Sequence, residues 1–280
     1  MRTSMKEHTA RFAKLALAGA AAVLLAAAPA LAQGEDEAED ARALAKKSQN
    51  PIANIYSLPL QNNTSFNVGP NEATNNTLNI QPVLPFPVGK FNLINRFILP
   101  VQWQGEVVEG VGSESGLGDL TYQGFLSPAK LSAVTWGLGP ALIVPTATDD
   151  RLGSGKWSAG PAFVVLTTPG SWVIGAIVQN TWSFAGDDER SDVNLFFSQY
   201  FVNYNLKKGW YLSSAPIITA NWEADSGDQW TVPLGGGAGK LHHIGKLPMD
   251  FQVQAFYNVV KPEFGADWSL RVQAKALFLK

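Results

Sequence analysis

Several clusters in this sequence have residue types and spacings that could do chemistry. GSGK at 153–156 ends like a phosphate-binding loop. That loop needs a glycine four residues before its Gly-Lys pair and a Ser or Thr after it; here Arg151 and Leu152 precede the GSG, and Trp157 follows. His242-His243 could be a metal-ligand pair or a base. Adjacent strand residues point to opposite faces and no third ligand lies near in sequence, so the pair reads as interfacial turn residues. Asp149-Asp150, Asp187-Asp188-Glu189 and Asp225/Asp228 offer the carboxylate oxygens that Ca²⁺ takes. The plainer reading is a solvated acidic rim that shares divalent ions with lipid phosphates. GGG at 235–237, within WTVPLGGGAG, has no helix pattern after it and is no nucleotide loop. Glycines there would admit tight curvature or the close approach of an inner element, for which the N-terminal segment is the candidate. No Ser–His pairing for nucleophilic catalysis can be read. The expectation is a protein that is not an enzyme and carries no metal or cofactor site.

The remaining candidates are scattered along the chain but share a parity. In FNLINRFILPVQW, Phe91, Leu93, Phe97, Leu99, Val101 and Trp103 alternate with Asn92, Arg96 and Gln102. In MDFQVQAFYNV, Phe251, Val253, Ala255, Tyr257 and Val259 alternate with Asp250, Gln252, Gln254 and Asn258. In WSLRVQAKALF, Trp268, Leu270, Val272, Ala274, Ala276 and Phe278 alternate with Ser269, Arg271, Gln273 and Lys275. A strand sends alternate side chains to opposite faces. Arg96, Arg271, Lys275, Asp250, Gln252, Gln254 and Gln273 therefore gather on one wet face. If 249–260 and 268–279 form a hairpin, Lys275 lies near Gln252 and diagonal to Asp250, within reach of a salt bridge. Unneutralised Arg96 and Arg271 would bias an enclosed space toward anions, as rings of basic side chains do in pores.

What could enclose that face follows from the whole pattern. Twelve runs read as strands, near 63–68, 76–86, 91–103, 118–127, 131–144, 157–167, 172–184, 193–206, 210–222, 229–241, 249–260 and 268–279. Most are ten residues or more, the length of a strand that crosses a bilayer at a tilt. The connections alternate between short turns such as PVGK and TPGS and longer acidic loops such as PTATDDRLGSGK and AGDDERSD. Of the 17 Asp and Glu after residue 60, only Asp250 lies away from the acidic set, so the two ends differ in charge. Tryptophans mark both ends: Trp103, Trp157, Trp182, Trp222, Trp230 and Trp268 beside acidic loops, Trp172 and Trp210 beside short turns, with Phe278 among the latter. Only Trp136 falls mid-strand. Two aromatic girdles around an apolar band are what the two membrane–water interfaces select.

In hydrocarbon every backbone N–H and C=O must be paired within the protein, so a spanning sheet has no edge. The expected fold is all-β: a transmembrane antiparallel up-and-down β-barrel of about twelve strands over 63–280, wet face inward and both termini on the short-turn, periplasmic side. A soluble β-sandwich would explain the alternation but neither the aromatic zoning nor the charge split. Pro82, Pro100, Pro140, Pro161, Pro216 and Pro233 fall inside expected strands, where each removes a ladder donor. They belong at bulges or strand ends.

The first 32 residues read as a cleaved secretory signal. Arg2, Lys6, Arg11 and Lys14 precede an apolar LALAGAAAVLLAAAP core, and Ala30-Leu31-Ala32 is a small-x-small cleavage site. Removing that segment, with Glu7, leaves 17 basic against 22 acidic residues, a balance that argues against a nucleic-acid binder. The chain has no Cys, which excludes a disulfide framework. Residues 33–62 form an N-terminal periplasmic or lumenal segment; GEDEAEDARALAKKSQN within it suits a short helix ended by Pro51 and equally a solvated tail, and Ala41 to Asn62 is the candidate plug.

WGLGPALIVPTATDD, GSGKWSAGP, WSFAGDDER, LKKGWYLSSAPIITANW, WTVPLGGGAGK and FYNVVKPEFGADWSLRVQAKALF together resemble a group of Gram-negative outer-membrane barrel transporters, some labelled neuromedin U. They are similar to the broader barrel family named for the meta-pathway of phenol degradation. The likeness runs from about Leu44 to the C-terminus and implies a bacterial outer-membrane barrel with a transport role, but carries no functional residues. Such barrels usually finish on an aromatic residue that the assembly machinery reads; here Leu279 and Lys280 follow Phe278. The expected function is passive passage of a small solute through a narrow or plugged lumen. Expected partners are outer-membrane lipids and lipopolysaccharide, the barrel assembly machinery and a small solute. The alternatives are an outer-membrane lipid or acyl hydrolase and a non-conducting structural barrel.

Overall fold

The computed structural model describes residues 35–130 and 132–279; the expected leader lies outside the described residues. Helix α1 (Glu35–Ser48) is followed by fifteen strand segments: β1 (Tyr56–Val68), β2 (Ala73–Ile80), β3 (Val83–Val88), β4 (Phe91–Gln104), β5 (Glu114–Leu117), β6 (Leu120–Pro128), β7 (Val134–Val144), β8 (Lys156–Thr167), β9 (Trp172–Gly186), β10 (Asn194–Asn205), β11 (Trp210–Ser214), β12 (Ile217–Asn221), β13 (Trp230–Ile244), β14 (Leu247–Val260) and β15 (Trp268–Phe278). β2 with β3, β5 with β6, and β11 with β12 each make one interrupted crossing. The wall is a closed barrel of twelve antiparallel strands. It closes where β1 pairs with β15, from Tyr56 opposite Phe278 to Phe66 opposite Trp268. β1 begins at Tyr56, so 56–62 belong to the wall and not to the N-terminal segment assigned from sequence. Tyr56, Leu58 and Leu60 alternate there with Ser57, Pro59 and Gln61, a period-two run too short to stand out until its pairing with β15 extends it.

The prolines sit where the ladder can spare a donor. Pro82 and Pro216 occupy the breaks between β2 and β3 and between β11 and β12. Pro233 stands at the register shift in the β13–β14 pairing. Pro140 and Pro161 face each other across β7 and β8. Two antiparallel residues directly opposite each other can aim both N–H groups away from their shared ladder. The β6–β7 and β8–β9 pairings correspondingly skip the positions at Pro140 and Pro161 without a change of register.

The outer surface is apolar along its length. Leu138, Leu142, Phe163, Ile174, Leu212 and Leu234 are all exposed. A monomer that presented this belt to water would aggregate. Trp103, Trp157, Trp182, Trp222 and Trp268 are exposed toward the long loops, Trp172 and Phe278 toward the short turns. Trp230 packs edge-on to Trp222, centroids 5.3 Å apart, and Lys240 Nζ lies 5.0 Å over the Trp210 ring. Trp136 is the third residue of β7, because that strand starts at Val134 and not at 131, and its side chain is exposed.

Charges in the long loops are spent on one another. Arg151 pairs with Glu114 and Asp149, and Arg190 donates to the carbonyls of Asp150 (2.7 Å) and Gly153 (2.6 Å). The Arg151 backbone N–H holds the Asp149 carboxyl below its ordinary range. Lys261, at 2.8 Å, and Asn67, at 3.0 Å, do the same for Asp267. Among the described residues no group of three or more His, Asp or Glu could hold a metal ion.

Lipid as the cover of the outer face has a direct test. Leu138→Arg, near the middle of β7, should cost about 2–4 kcal/mol in vesicles, read by urea unfolding. A cost near zero would mean that water already reaches this position.

Candidate functional site: the plugged lumen

The interior is built in two unlike halves. From β3 to β10 an apolar cluster points inward, Val83, Ile94, Phe125, Ala141, Val164, Leu166, Val173, Ile177 and Phe201, interspersed with the buried polar side chains of Gln123, Ser158, Gln179, Thr181 and Asn203. This corrects the expectation of a uniformly wet inner face. The reason is Ile52, which belongs to the same cluster and sits inside the barrel against it. Gly137 makes room: a Cβ there would stand 3.5 Å from Ile52 Cδ1 and only 3.1 Å from Val164 Cγ1.

The segment that delivers Ile52 is locally determined. α1 carries its acids early and Lys46-Lys47 in its last turn, as the helix dipole favours. Asn50 Oδ1 accepts the Ile52 N–H at 2.9 Å, turning the chain after the helix. A 14-residue helix is marginal alone, so docking must hold it. Arg42 donates to the Ser171 hydroxyl, and Lys46 Nζ to the carbonyls of Thr168 (3.2 Å) and Gly170 (2.8 Å), in the turn between β8 and β9. Gln49 and Asn205 exchange amide hydrogen bonds of 2.9 and 3.0 Å. Ala41 and Ala45 bury against Leu241 and Leu277. All these partners lie at the short-turn end, which is periplasmic in outer-membrane barrels.

The other half of the interior is a polar network reaching this segment. Ser48 Oγ donates to Asp250 Oδ2, Tyr211 Oη donates to Asp250 Oδ1 at 2.6 Å, and Lys275 Nζ donates to the Ser48 carbonyl at 2.7 Å. Lys275 Nζ is 3.7 Å from Asp250 Oδ2. Asp250 lies directly opposite Lys275 and Gln252 opposite Gln273, one pair away from the diagonal register expected. Asp250 is 1% exposed, and these partners satisfy both of its carboxyl oxygens. Gln252 and Gln254 both donate to Ser213 Oγ, at 3.0 and 2.6 Å. Arg271 donates through Nη1 to the Ala215 carbonyl at 2.7 Å, a group at the Pro216 break, and through Nε to Asn63 Oδ1 at 3.0 Å. Its guanidinium also lies 5.0 Å from the Phe256 ring centre.

Between the inserted segment and the wall lies a cavity of about 140 Å³. Arg96, Asp250, Gln252, Arg271, Gln273 and Lys275 line it, whereas Gln254 is buried beside it in the Ser213 bonds. Ile177 and Phe201 line it from the apolar half. Sequence reasoning missed Tyr211, Ser48 and Ser213. Glycine was the available signal for Tyr211: a Cβ at Gly239 would overlap its ring, whereas a Cβ at Gly235 or Gly237 would meet the β14 backbone and one at Gly236 the Ser213 carbonyl of β11. His242 and His243 sit opposite Met249 and Pro248 at the short-turn end of β13, away from the cavity.

The network predicts an asymmetry on mutation. Asp250→Ala leaves the Lys275 cation buried without a counter-charge and should destabilise by about 3–5 kcal/mol. Adding Lys275→Met should recover most of that loss in denaturant unfolding. If the two losses simply add, Asp250 and Lys275 do not compensate each other.

Residues 59–221 match the family model described as "Putative MetA-pathway of phenol degradation". No curated protein matches the chain significantly. The crystal structure of an outer membrane channel from Pseudomonas putida F1 superposes with a TM-score of 0.62, at 18% identity, over 80% of this chain and 94% of that one. The P. putida toluene transporter TodX reaches 0.39 at 9% identity, over 83% and 92%, and Escherichia coli outer membrane phospholipase A 0.39 at 13%, over 80% and 92%. These last two overlap too loosely to bear on function. The first shares the fold of a closed outer-membrane barrel. Because the family model matches more than half of the chain, the chain belongs to this family, described as putative MetA-pathway of phenol degradation.

Proposed function

We propose that the chain is a passive channel for a small solute, closed at its periplasmic end by residues 35–55. The observation that carries this reading is the polar cavity between the inserted segment and the wall, because a purely structural barrel would gain more by filling that space with apolar side chains. Twelve strands give an interior between the filled eight-stranded barrel and the open sixteen-stranded porin. The inserted segment takes up the difference. Its attachments are exchangeable hydrogen bonds to turns and side chains, each with a net worth of about 1 kcal/mol, so partial displacement is within thermal reach. In this reading the outer face meets membrane lipid and lipopolysaccharide after insertion by the barrel assembly machinery.

Deletion of 35–54 leaves β1 intact and should raise single-channel conductance in planar bilayers several-fold. Unchanged conductance would remove the plug from the mechanism. Absence of current in both forms would return the chain to a structural barrel, and phospholipid turnover by the purified protein would point to a hydrolase.

A further inference from the structure

Three cations face the lumen from β4 and β15, and protein groups account for two of them. Lys275 is held by Asp250 and Ser48, and Arg271 by Ala215, Asn63 and the Phe256 ring. Arg96 is different. It lies on β4 between Val83 of β3 and Gln123 of β6 and lines the cavity. Its Nε and Nη1 are buried and have no hydrogen-bond partner, and no carboxylate forms an ion pair with it, among the described residues. The residue as a whole keeps intermediate exposure on the face that lines the cavity. A guanidinium stays charged at any physiological pH, and buried polar groups are almost always partnered. Gln123 Oε1, its cross-strand neighbour, is also unpartnered, while Gln123 Nε2 donates to Gln179 Oε1 at 2.6 Å. That oxygen could accept one N–H from Arg96. It cannot supply a negative charge.

The surroundings limit what could. Val83, Ile177 and Phe201 present apolar surface to the same space. The cavity, at about 140 Å³, is close in size to the engineered protein cavity of roughly 150 Å³ that admits benzene. We propose that Arg96 is the anion-binding residue of a solute site in the lumen, and that the ligand class is a small organic carboxylate whose apolar body is no larger than one six-membered ring. A turn of the guanidinium presents its unpartnered N–H groups to the carboxylate as charge-assisted hydrogen bonds. The apolar body rests against Ile177 and Phe201. The proposal rests on the channel reading for transport of this ligand, but not for its binding.

Binding and passage are therefore measured separately, on the full chain. Isothermal titration in detergent compares benzoate with benzyl alcohol and benzylammonium, neutral and cationic probes of nearly equal size. Benzoate should bind saturably and at least tenfold more tightly than either. Arg96→Gln should lower benzoate affinity at least tenfold, whereas Arg151→Gln, a loop cation paired with Glu114, should leave it unchanged. Heat-dependent gel mobility reports whether each variant is folded; the probe comparison on the native chain decides even if Arg96→Gln is not. Benzoate binding no tighter than benzyl alcohol, or undiminished in folded Arg96→Gln, overturns the proposal. Benzoate binding without benzoate entry into proteoliposomes would uphold the site and sink the channel reading instead.

Discussion

A bilayer offers no hydrogen bonds to the backbone, so a sheet within it must pair every N–H and C=O with itself. The pairing of β1 with β15 is where this chain meets that demand. The same constraint explains how its prolines are placed. The missing donors of Pro82, Pro140, Pro161, Pro216 and Pro233 fall at strand breaks, a register shift or skipped ladder positions, and at the Pro216 break the Ala215 carbonyl is taken by Arg271. A lumen side chain thus completes the wall. Structure and lining are not separable at that point.

Closure creates a second problem, because a twelve-stranded interior is too wide for its own side chains to fill. The chain solves it unequally around the circumference. Along β3 to β10 an apolar cluster of the inner face is covered by Ile52, with Arg96, Gln123 and Gln179 set among it. Around β11, β14, β15 and β1 the face is polar and is held by Asp250, the one carboxylate set apart from the acidic loops. Ser48 brings the N-terminal segment into that network. One buried acid therefore coordinates the plug, a tyrosine from β11 and a lysine from β15.

The surface charges show the opposite economy. In the acidic loops Arg151 and Lys261 pair with carboxylates and Arg190 binds backbone carbonyls, and among the described residues no three acids gather to hold a metal. The lumen keeps more cations than carboxylates, and Arg96 is the one whose N–H groups lack a protein acceptor among the described residues. An imbalance in the wettest part of the molecule is screened and cheap. In a narrow enclosed space it is neither, which is why it bears on what can enter.

The barrel was legible from Phe91 to Gln102 and from Asp250 to Lys275 because period-two alternation is local and survives in any register. Inward parity for Arg96, Asp250, Arg271 and Lys275 could be read the same way. What failed depended on partners distant in sequence. Tyr56 to Asn62 alternates over only three apolar side chains, Tyr56, Leu58 and Leu60, and its place in the wall is set by β15. Asp250 moved from a diagonal to a direct neighbour of Lys275 because hairpin register depends on the connection. The apolar cluster on the inner face of β7 to β9 made sense only once Ile52 was seen against it, more than eighty residues earlier in the chain. Side-chain type and spacing determine which face a residue takes. Which residue meets it there is decided by closure of the sheet and insertion of the segment, since contacts across a lumen have no counterpart in sequence distance.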